Sequence, residues 1–108
     1  MVPIDFLYAS CRRAPNAVAV ETETEVITYA SLVERVNSLA AAIHALDERP
    51  QSRVAICGYN SLEHLIGLLA VMAAGKVWVP LNPRDGKNDI QLKIEAAKPS
   101  ILIFDEDC

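Results

Sequence analysis

A chain of 108 residues with 52% hydrophobic content is long enough to bury a core and too apolar to stay disordered, so it forms one small domain or a piece of a larger one. Its formal charge of −4, its isoelectric point near 5.0 and the scatter of its ten Lys and Arg residues argue against a nucleic-acid partner. The opening MVPIDFLYASCRR lacks the order of a signal peptide. The longest apolar run, Leu68 to Ala74, falls far short of the roughly 20 residues of a membrane span, so the expectation is a soluble, cytoplasmic protein.

Residues Ile4 to Ala14 place Ile4, Leu7, Tyr8 and Cys11 on one helical face, and the following Pro15 ends that helix. Ala17 to Val20 and Glu25 to Thr28 are β-branched stretches around a polar TETE segment, which predicts a hairpin with no glycine or asparagine in its turn. From Leu32 to Leu46 apolar residues recur at helical spacing, with Thr28 or Ser31 as the N-cap; Ser31 and Glu34 have capping-box spacing. RVAIC, Arg53 to Cys57, is an unbroken apolar run of the kind found in parallel strands covered on both faces.

GYNSLE then opens a helix that Asn60 can cap, with Glu63 in the box position, and the run from Leu62 to Ala74 leaves almost no polar face. Gly75 falls where a helix closes in the left-handed conformation. KVWVPL is the next strand, with Pro80 at a strand end or edge and Pro83 in a turn. Asn88 or Asp89 caps a helix reaching Lys98, Pro99 closes it, and SILIF is a third strand. The alternation predicts an α/β fold, a parallel sheet with flanking helices preceded by an N-terminal β-hairpin. With no repeat or linker, residues 1–108 read as a single partial domain.

The segments PNAVAV (Pro15 to Val20), ITYASL (Ile27 to Leu32), VAICGYNSLE (Val54 to Glu63) and AAGKVWVPLNPR (Ala73 to Arg84), in this order and spacing, resemble the N-terminal part of the adenylate-forming, or AMP-binding, enzymes. That superfamily includes acyl-CoA synthetases, peptide-synthetase adenylation domains and firefly-type luciferases. The resemblance spans residue 3 to Phe104 and about the first fifth of a family member. It departs at Ser31, where the family often has an acid, and at Lys87, in a variable turn.

The resemblance implies a parent enzyme that uses ATP and Mg to convert a carboxylic acid into an acyl-adenylate, and then CoA to form a thioester. PLNPR with Trp78 before it leans toward an acid–CoA ligase, because peptide-synthetase domains commonly place Asp after Pro-Leu. The alternatives are a peptide-synthetase-type adenylation fragment and a self-contained flavodoxin-like regulatory or binding module. The family's phosphate loop, ribose-binding Asp, hinge and catalytic Lys all fall beyond residue 108, so no catalytic, cofactor-binding or metal-binding residue is assigned here. The expected fragment is inactive alone, has no cofactor of its own, partners the rest of its enzyme and self-associates when isolated.

Other chemistry-bearing residues have simpler explanations. Cys11, Cys57 and Cys108 lack paired spacing and read as reduced thiols, with Cys57 a small buried residue. His44 and His64 read as surface or capping residues, and Asp105, Glu106 and Asp107 as a solvated acidic stretch. Tyr59, Asn60 and Ser61 follow the carboxyl end of a strand, where α/β sheets bind ligands, although capping accounts for Asn60 and Ser61. Trp78 reads as core packing. Ser10, Ser31, Ser38 and Ser61 have no identifiable base.

Overall fold

A computed structural model describes residues 3–59 and 61–104. The elements run α1 (Pro3–Arg13), β1 (Val18–Glu21), β2 (Val26–Thr28), α2 (Tyr29–Leu46), β3 (Arg53–Cys57), α3 (Leu62–Ala73), β4 (Val77–Leu81), α4 (Lys87–Ala97) and β5 (Ile101–Phe104). β1 and β2 form an antiparallel hairpin, and the second sheet is parallel in the order β4-β3-β5. The fold is thus α/β.

Side-chain alternation along β3 builds two apolar layers. Val54 and Ile56 join the core made with α1, α2 and α3, whereas Ala55 and Cys57 meet Leu81 and the α4 residues Ile90 and Ile94. All four are at most 4% exposed, which is why RVAIC shows no polar alternation. α3 approaches β3 closely at Gly67, where a Cβ would lie 3.4 Å from the Ile56 Cδ1 methyl. β5 is covered on one face: Ile101 and Ile103 pack on the first core, while Leu102 and Phe104 are exposed.

The hairpin turn does without glycine because Thr22 supplies the polar group. Its hydroxyl accepts from the amides of Thr24 and Glu25 at 3.4 and 3.0 Å, and its own amide donates to the Glu25 carbonyl at 2.8 Å. Of the two N-cap candidates for α2, Thr28 serves: its Oγ1 accepts from the Ser31 amide at 3.2 Å. Two cap assignments need correction. α3 is capped by Ser61, whose hydroxyl accepts from the His64 amide at 3.1 Å; Asn60 lies outside the described residues. α4 begins at Lys87 after an extended Gly86 with no side-chain cap, so Asn88 and Asp89 lie inside the helix, with Asp89 placed to favour the positive end of its dipole.

At the amino ends of the parallel strands, the AAGK segment fastens the α2–β3 loop. Gly75 closes α3 at φ 72°, its carbonyl accepts from the Gln51 amide at 2.9 Å, and the Val77 amide donates to the Ser52 carbonyl at 2.9 Å. Lys76 is buried, with its ammonium donating to the Asp47 carbonyl at 2.6 Å and to the Arg49 carbonyl. The Asp47 carboxylate in turn accepts from the Arg49 guanidinium through Nε and Nη2, each at 2.9 Å, and from the Arg49 amide at 3.0 Å. The Arg49 guanidinium is the main reason that this carboxyl is held well below the usual range.

Gly75→Val should destabilise the chain by about 1–2 kcal/mol, whereas Gly75→Asn should cost clearly less. A Cβ at Gly75 meets nothing within 4 Å, so the penalty is the backbone conformation itself, which Asn tolerates. Chemical denaturation of both variants checks this; equal midpoints for Val and wild type would contradict it.

Asp47 also predicts an acid dependence. Its folded-state pKa lies below the unfolded value of about 3.9, so its stabilising contribution is complete above about pH 5 and fades as pH falls toward the folded value. The stability gap between wild type and Asp47→Asn should therefore be widest near neutrality and narrow below about pH 4 in a denaturation series. A gap independent of pH would contradict this.

Candidate functional site

The chain leaves β3 toward α3 on one face of the sheet and leaves the adjacent β4 toward α4 on the other. Divergent connections of this kind open a crevice beyond the carboxyl ends of neighbouring parallel strands. A cleft of about 500 Å³ lies there, lined by Gly58 and Tyr59 after β3, His64 of α3, Trp78 of β4, Asn82 and Arg84 of the following loop, and Lys93 of α4.

The loop after β4 is shaped by Asn82. Its Oδ1 accepts from the Arg84 amide at 2.9 Å, an Asx turn over Pro83, and its carbonyl accepts from the Asp85 amide at 3.1 Å. Asp85 Oδ2 then pairs with Lys93 Nζ at 2.6 Å, tying the loop to α4 and holding the Lys93 ammonium above its usual range. His64 and Trp78 meet edge to face, with ring centroids 6.5 Å apart and planes at 78°. The buried atoms His64 Nδ1 and Trp78 Nε1 have no hydrogen-bond partner among the described residues. The cleft therefore combines an aromatic wall with an exposed Arg84 and a Lys93 already neutralised by Asp85.

Of the residues singled out in the sequence, His64, Tyr59 and Trp78 come together at this cleft. His64 was expected as a surface or capping residue, yet its ring is half-buried against Trp78. Trp78 packs on the core as expected and also lines the cleft. His44 is exposed on α2, Ser61 is occupied as a cap, Cys57 is buried and Cys11 is half-buried. Asn60, Asp105, Glu106, Asp107 and Cys108 fall outside the described residues. Among the described residues, no three His, Cys, Asp or Glu side chains form a metal-sized group, and no helix is long and apolar enough to cross a membrane. Sequence reading missed Lys93, whose only signal was an acid eight positions earlier at Asp85.

A family model of AMP-binding enzymes matches residues 7–108. The chain belongs to the AMP-binding enzyme family. Among curated members, malpinin synthetase of Mortierella alpina is 38% identical over 93 residues, covering 86% of this chain and 1% of that protein. The dimodular nonribosomal peptide synthase of Bacillus subtilis is 36% identical over 89 residues, covering 82% of this chain and 4% of that protein. Among solved structures, the N-terminal subdomain of NpsA from Klebsiella oxytoca matches with a TM-score of 0.86 and 32% identity, over 96% of this chain and 27% of that one. The chain thus spans a few per cent or less of these curated relatives and about a quarter of the solved subdomain.

The names of the Bacillus subtilis relative, a nonribosomal peptide synthase, and of NpsA, solved also as part of a fused adenylation–PCP NRPS di-domain, match the peptide-synthetase alternative better than the lean toward acid–CoA ligases. The physical reason lies at Asn82. Its function in the loop is an Oδ1 acceptor, an atom that Asp supplies equally well, so Asn against Asp at this position carries little information. Trp78 serves by presenting an aromatic face to His64 and the core, which other aromatic residues can also do. Accordingly, Asn82→Asp should leave stability within about 0.5 kcal/mol of wild type, while Asn82→Leu should cost about 1 kcal/mol through the lost turn hydrogen bond. Parallel denaturation curves test this, and an Asp variant as weak as the Leu variant would refute the acceptor account.

Proposed function

We propose that this chain supplies the early α/β segment of an adenylation domain of the nonribosomal peptide synthetase kind. The observation that carries the reading is the match of residues 7–108 to AMP-binding enzymes, joined to relatives that include nonribosomal peptide synthases. In the reaction this implies, a carboxylate oxygen bonds to the α-phosphorus of ATP, the bond to the β-phosphate bridge breaks, and pyrophosphate leaves an acyl-adenylate behind. A thiol then attacks the acyl carbon and displaces AMP.

The part of this chain in that reaction is architectural. The four glycines stand singly at Gly58, Gly67, Gly75 and Gly86, so they form no glycine-rich run whose amides could cradle a triphosphate. What the segment offers is a rigid three-stranded sheet with a shaped crevice at its carboxyl edge.

The 108-residue chain alone is expected to give no saturable heat with Mg·ATP in calorimetry up to millimolar concentrations, and saturable binding would overturn the architectural role. A polypeptide carrying this segment with the remainder of an adenylation domain is expected to catalyse acid-dependent exchange of pyrophosphate into ATP without making a thioester of free CoA. Formation of acyl-CoA would return the assignment to an acid–CoA ligase.

A further inference from the structure

We draw no further inference here: the strongest candidate, the recess of about 300 Å³ at the amino ends of the parallel strands where Arg49, Arg53 and Lys98 gather with Ser52 and Ser100, carries no anion site, because the Arg49 guanidinium is held by the Asp47 carboxylate and that of Arg53 by the Ala97 carbonyl at the end of α4.

Discussion

Burial of β3 on both faces and along both edges is the constraint from which the other features follow. A parallel strand has no solvent side, so its pairing with β4 and β5 requires a helix layer above and another below. The α3 layer sits close to β3 at Gly67, where a Cβ would already be in contact with the Ile56 Cδ1 methyl. With α3 and α4 committed to opposite faces, the loops leaving β3 and β4 must part, and the cleft containing His64, Trp78 and Arg84 is the space between them. Location of the candidate site is therefore a property of the topology, before any side chain is considered.

The opposite end of the sheet is organised by polar contacts instead. There the Lys76 ammonium, buried without a described carboxylate partner, is satisfied by the main-chain carbonyls of Asp47 and Arg49. Those carbonyls lie just beyond the carboxyl end of α2, where a cation also favours the helix dipole. The adjoining Asp47–Arg49 pair fixes the same turn from outside. Together these contacts set the level at which α2 hands the chain to β3, and so the register of Arg53 against Val77.

Much of this was legible in the sequence because local rules and tertiary demands agreed. RVAIC has one sensible environment, Gly75 has one sensible conformation, and the apolar stripe of α2 has one buried face. Legibility failed where two neighbours offered the same chemistry. Asn60 and Ser61 both carry a capping oxygen one residue apart, and the Ser61 hydroxyl is the one that meets the His64 amide. α4 starts earlier than its polar residues suggested, since an extended Gly86 suffices to begin it. Long-range pairs were out of reach for a different reason: nothing local marks Lys76 as the partner of the Asp47 carbonyl, or Lys93 as the partner of Asp85.

The register of the sheet has a consequence for synthesis on the ribosome. β3 is the middle strand, yet its partners emerge at different times: β4 follows α3, whereas β5 follows α4 as well. Until α4 and β5 have emerged and packed, β3 has an open edge and Ala55 and Cys57 lack their cover, an exposed template of the kind that recruits neighbouring chains.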